Sequence, residues 1–212
     1  MKKLNRKGFT LIELLAVITI MGILMLVAIP AVSRTIENSR RDTFADVAKT
    51  YVNTVRNAVL ADELKCGDDS VGAVGDGVYF FKINTKSGTT EYQQTIDIME
   101  SGGLSSWSSA NVEGYVKWLK KTQVGSTPGA DENAPSTPNG VEKVTTTYSI
   151  LLVDTGSHGI ATELAETEIS RAKVSTRTAM KAGGEGEAAI TYPTGTETID
   201  GTTYNVTECT LK

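Results

Sequence analysis

The chain has 212 residues, enough for one domain plus an appendage, since single domains usually run to roughly 100–200 residues. Apolar residues make up 40% and charged residues 22%, proportions that exclude neither an enzyme nor a binding module. The formal net charge is -4, from 21 Lys+Arg against 25 Asp+Glu. Removing the four basic residues at positions 1–8 leaves 17 against 25, a net charge of -8. An acidic body of that kind argues against nucleic acid as a main ligand, because phosphate binding calls for a basic face. Lys117, Lys120 and Lys121 remain as a candidate local basic patch.

In chain order, the first feature is a charge asymmetry. Lys2, Lys3, Arg6 and Lys7 precede a stretch from Phe9 to Ile29 whose one charged residue is Glu13. About 20 apolar residues are what a helix needs to cross a bilayer, and the basic flank places the N-terminus on the cytoplasmic side. A secretory signal peptide would end its apolar run at a small-residue cleavage site and give way to unrelated sequence. Here the helical period continues instead through Val32, Ile36, Phe44, Val47, Tyr51, Val55 and Val59, which predicts one helix from Phe9 to about Leu64. Its outer half is expected to be amphipathic and to pack on a head.

Three residues interrupt the apolar run. An unpaired carboxylate at Glu13 costs on the order of 2–3 kcal/mol near the membrane, so it calls for a partner. Gly22 lowers helix propensity and Pro30 removes an amide donor, so the stretch between them is where this helix is expected to bend or melt.

Beyond the helix, turn-forming residues at Cys66-Gly67-Asp68-Asp69 and Gly75-Asp76-Gly77 mark the start of a head. Gly77–Ile83 and Tyr148–Asp154 read as strands, and Ala188–Tyr192 and Tyr204–Leu211 as shorter ones. Val112–Lys121 and Ile160–Met180 show helical spacing. Gly125–Gly140 and Gly183–Gly186 read as surface loops. The expected fold class is α+β: a long N-terminal helix, half transmembrane and half amphipathic, packed against a small antiparallel sheet. The segments expected are 1–8 as a leader, 9–30 as the apolar helix, 31–65 as its amphipathic continuation and 66–212 as the head.

Cys66 and Cys209 are too few and too far apart for a zinc ribbon or a CxxC pair. In an exported chain one disulfide is the simple reading; two separate buried thiols are the alternative. A bond between them would close a loop of about 140 residues and stabilise by roughly 4–5 kcal/mol in the chain-entropy model.

Catalysis has no obvious seat. His158, in Gly156-Ser157-His158-Gly159, lacks triad or metal-ligand spacing and reads as an exposed turn residue. Asp68, Asp69 and Asp76 offer oxygens for calcium without EF-hand spacing, and a solvated acidic loop is the plainer reading; no cofactor is expected. Trp107, Tyr115 and Trp118 would form either an adhesive aromatic patch or ordinary packing, the latter favoured. Asn205-Val206-Thr207 matches a glycosylation sequon, read as chance.

The segment Lys7-Gly8-Phe9-Thr10-Leu11-Ile12-Glu13-Leu14-Leu15 resembles the class III signal of type IV prepilins and pseudopilins. The resemblance covers about residues 5–35. It implies cleavage between Gly8 and Phe9 by a prepilin peptidase, N-methylation of Phe9, and pairing of Glu13 with the Phe9 amine of a neighbouring subunit. It also implies a homo-oligomeric helical filament raised from the membrane by an assembly platform and its ATPase, ending as an extracellular pilus that serves adhesion, motility or DNA uptake. A secretion pseudopilin and a membrane-anchored head with an uncleaved span are the alternatives. A C-terminal disulfide is common in the family, usually over a shorter span.

Overall fold

The computed structural model describes residues 10–85, 90–102, 112–127, 137–154, 158–176 and 190–212. The chain divides into two units, residues 1–40 and 41–212. The expected segments 1–8, Trp107 and 183–186 lie outside the described residues.

In the first unit the chain is helical from Leu11 onward. This helix, α1, runs over Leu11–Leu60 without interruption, through both Gly22 and Pro30. Every described side chain up to Ile36 is exposed, including Val32 and Ile36, which the period places on the packed stripe. The second unit is a compact body by itself.

There, Phe44, Val47, Tyr51 and Val55 recur at three- or four-residue steps and are buried, joined by Ala45, Ala48, Val52 and Ala58. Small residues beside large ones let the helix approach a sheet closely. The helix ends in a Schellman turn: Glu63 N donates to Ala58 O at 2.9 Å and Asp62 N to Val59 O at 3.3 Å. Asp62 takes the left-handed position at φ 57°, which glycine usually occupies.

The remaining elements are β1 (Leu64–Cys66), β2 (Asp69–Ser70), β3 (Gly77–Asn84), α2 (Thr90–Gly102), β4 (Val112–Thr127), β5 (Thr137–Asp154), β6 (His158–Ala165), β7 (Ser175–Thr176), β8 (Thr196–Ile199) and β9 (Thr202–Leu211). The sheet order is β2-β1-β9-β3-β4-β5-β6-β7, with β8 paired to β9 as a hairpin. All pairings are antiparallel except β3 with β9. The class is α+β, as expected, with a larger sheet than expected.

Several readings are corrected. Val112–Lys121 is strand: Val112, Val116 and Trp118 join the core beneath α1 while Tyr115 and Lys117 point to the other face. The helical count of Val112, Val116 and Leu119 left out Tyr115 and Trp118, whose placement suits a strand once β3 and β5 flank the segment. The described part of Ile160–Met180, residues 160–176, is likewise no long helix, because Ile160 and Leu164 sit in β6 and are covered. The flanks of the expected Gly125–Gly140 loop belong to β4 and β5, which pair as far as Thr127 with Thr137. Of the expected strand Ala188–Tyr192, the described part, Ile190 to Tyr192, is irregular and pairs with no neighbouring strand. α2 was not expected, although Thr95, Ile98 and Met99 on one face give it a buried side.

Gly114 shows why one residue type is required in the sheet. A Cβ there would lie 2.1 Å from the Leu151 carbonyl oxygen, so any side chain would push β4 and β5 apart.

Candidate functional site: the N-terminal helix and its anchor in the head

Thr10 and Glu13 open α1 as a capping box. The Thr10 amide and hydroxyl both donate to Glu13 Oε2 at 2.8 Å, and the Glu13 amide donates to Thr10 Oγ1 at 3.4 Å. Both bonds to the Glu13 carboxylate reach it through Oε2. Among the described residues the helix then presents Leu11 to Ile29 as an exposed, mainly apolar surface, Leu11 being 84% and Leu26 79% exposed. It is long and apolar enough to cross a membrane. Gly8 and Phe9, the expected cleavage and methylation positions, lie outside the described residues.

In the head, three α1 residues, Arg41, Asp42 and Arg56, attach the helix to β5 and to the segment that follows β6. The Arg56 guanidinium lies 4.7 Å from the Tyr148 ring centroid, donates to Asn53 Oδ1 at 2.9 Å and pairs with Glu166. Arg41 Nε donates to the Val174 carbonyl at 3.1 Å, and Arg171 Nη1 donates to Asp42 Oδ2 at 3.1 Å. The partners outside α1 are far away in sequence, so no local pattern announces these contacts.

Cys66 and Cys209 form a disulfide across 143 residues and face each other as register partners of β1 and β9. Just before them, Asp62 gathers the ends of the head. Its carboxylate accepts from Ser70 Oγ, from the Gly72 amide at 2.8 Å and from Lys212 Nζ at 2.8 Å. These donors, Lys212 first, hold the Asp62 carboxyl well below the usual carboxylate range.

The remaining candidates resolve into structural roles. Lys117 is buried between Glu163 and Glu197, each 2.7 Å away, Lys120 donates to the Val74 carbonyl and Lys121 lies 4.0 Å from Asp200, so the basic residues do not make an open patch. Tyr115 and Trp118 are buried, on opposite faces of β4, which supports packing over an aromatic patch. His158 is corrected: it is 2% exposed, because β6 begins at that residue and is flanked by β5 and β7. Asp76 Oδ1 accepts from the Thr122 amide at 2.9 Å, tying the start of β3 to β4. Among the described residues no group of three His, Cys, Asp or Glu side chains is placed to hold a metal.

The features that stand out are therefore a bare apolar helix opened by a capped glutamate, and a disulfide-closed α+β head. Together they define a chain with a membrane-length apolar N-terminal helix and a disulfide-closed α+β head. Residues 3–29 match the family model described as the prokaryotic N-terminal methylation motif, consistent with the type IV pilin and pseudopilin family and implying processing by prepilin peptidase. No curated protein and no solved structure gives a significant match to the chain.

Proposed function

We propose that this chain is a structural subunit of a type IV pilus, cut between Gly8 and Phe9, methylated on Phe9 and polymerised through α1 into a surface filament. The observation that carries this reading is the exposed apolar surface of Leu11–Ile29, with Glu13 as its one charge. A surface of that size is stable in a bilayer before assembly and among copies of itself afterwards. The Glu13 carboxylate has an oxygen, Oε1, outside the Thr10 contacts and suited to the ammonium of a neighbouring Phe9. Two opposite charges brought together in an apolar core offset the cost of burying each. Helix melting between Gly22 and Pro30 belongs to this assembly step, where the helix leaves the bilayer. The segments 9–30, 31–65 and 66–212 then act as filament core, connector and displayed head.

The experiment is mass spectrometry of the N-terminus together with electron microscopy of material sheared from cells of the native host. Filaments whose subunits begin at methylated Phe9 are expected. Membrane-retained protein that still begins at Met1 would sink the reading. Glu13→Ala is expected to be processed yet to yield few filaments, and a normal yield would refute the charge pairing.

A further inference from the structure

In the first unit, the Glu13 carboxylate stands among apolar side chains yet has donors of its own. The Thr10 amide and hydroxyl both donate to its Oε2 at 2.8 Å, and the Glu13 amide donates back to Thr10 Oγ1 at 3.4 Å. The amide bond needs only a backbone, whereas the hydroxyl bond needs a hydroxyl side chain at position 10. Other threonines of α1 behave differently. Thr19, Thr35 and Thr50 donate to the carbonyls of Ala16, Ala31 and Asp46, three or four residues earlier, which is the ordinary habit of a threonine inside a helix. Thr10 precedes the first turn, and its hydroxyl proton goes to a carboxylate instead.

We propose that Thr10 is a positioning residue for subunit joining: its hydroxyl holds the Glu13 side chain in one rotamer, with Oε2 occupied and Oε1 left to the ammonium of a second copy. The inference rests on the filament reading, which supplies that ammonium at Phe9. A freely rotating glutamate side chain must give up its torsional freedom when it pairs. Held by Thr10, Glu13 has given up that freedom before the neighbour arrives, so the pairing itself is stronger. The same bonds act earlier as well. In the bilayer, before any neighbour is present, two hydrogen bonds to the charged oxygen lower the cost of an ionised carboxylate in an apolar span. A residue at position 10 that offers only its amide serves both steps less well.

The test uses the full-length chain in its native host, with filaments sheared from cells measured against the membrane pool of processed subunit. T10V keeps the β-branched shape and removes the hydroxyl. It is expected to lower that ratio about tenfold, and T10S to keep it within about twofold of wild type. A second measurement separates positioning of the carboxylate from simple capping of the helix, which serine would also restore. It is the carboxyl carbon signal of isotope-labelled Glu13 in membrane subunit extracted into detergent, read by NMR whether or not filaments form. The signal is expected to move in T10V and to stay in place in T10S. A T10V ratio equal to wild type, or a lowered ratio with an unmoved carboxyl signal, would overturn the assignment. Wild-type cells without filaments would instead overturn the filament reading, while the carboxyl signal would still decide for or against the Thr10 bond.

Discussion

Asp62 and Lys212, 150 residues apart in sequence, are joined by a 2.8 Å bond from Lys212 Nζ to Asp62 Oδ2, and the Lys212 amide donates to the neighbouring Glu63 carbonyl at 3.0 Å. The residue that ends α1 thus also holds the residue that follows β9. Asp62 occupies a left-handed position that costs most side chains energy, and its three hydrogen-bonded partners offset that cost.

The Asp62 carboxyl is depressed by Lys212, then Ser70, then the Gly72 amide, so its stabilisation is present above the unfolded value near pH ~3.9 and fades as pH falls through the lower folded one. Thermal melts of D62N are expected to lie below wild type at neutral pH and to converge with it in strong acid. An undiminished gap in acid would contradict this assignment.

Removing the Cys66–Cys209 cross-link frees a 143-residue loop in the unfolded chain. C66S/C209S is expected to lose about 4 kcal/mol in chemical denaturation, with the same loss for wild type under reductant. Equal midpoints with and without reductant would show that the bond does not constrain the unfolded state.

Arg56 links α1 to Tyr148 and Glu166 at a half-buried position. R56A is expected to destabilise the head by about 1 kcal/mol, and R56K by less, since lysine keeps charge but not the planar stack. Denaturant midpoints measure both, and equality of R56K and R56A would remove any role for the retained charge.

Burial raises Tyr115 and Tyr192 well above the ordinary phenol value, helped by Glu163 and Glu113 respectively, and raises Tyr51 to about 12. The folded state prefers the neutral phenols, so their stabilisation is complete below the unfolded value near pH ~10 and declines as pH rises above it. The tyrosinate absorbance of Tyr51, Tyr115 and Tyr192 is expected to rise late and together with loss of the fold. For Y192F the alkaline decline should be shallower. Ordinary titration of Tyr51, Tyr115 and Tyr192 before unfolding would be inconsistent with this.

Much of the framework was legible because it is local. The apolar run, Glu13, the period of Phe44, Val47, Tyr51 and Val55, and the strands at Gly77–Ile83 and Tyr148–Asp154 all follow from the chemistry of neighbouring residues. The misreadings share one physical cause. Val112–Lys121 carries both a helical and a strand spacing, and only the flanking strands β3 and β5 choose between them. His158 looks like a turn residue from its glycines, and only β5 and β7 on either side of it cover its side chain.

By itself, then, the sequence determined that the chain carries a bilayer-length apolar helix bearing one carboxylate, because hydrophobicity and helical period are summed over adjacent residues. The tertiary structure alone decided that this helix is bare as far as Ile36 and packed from Phe44, that β9 lies between β1 and β3, and that Arg56, Asp62 and Cys66 meet Tyr148, Lys212 and Cys209. Those contacts join residues distant in sequence, and such pairings depend on the path of the whole sheet, not on any local spacing.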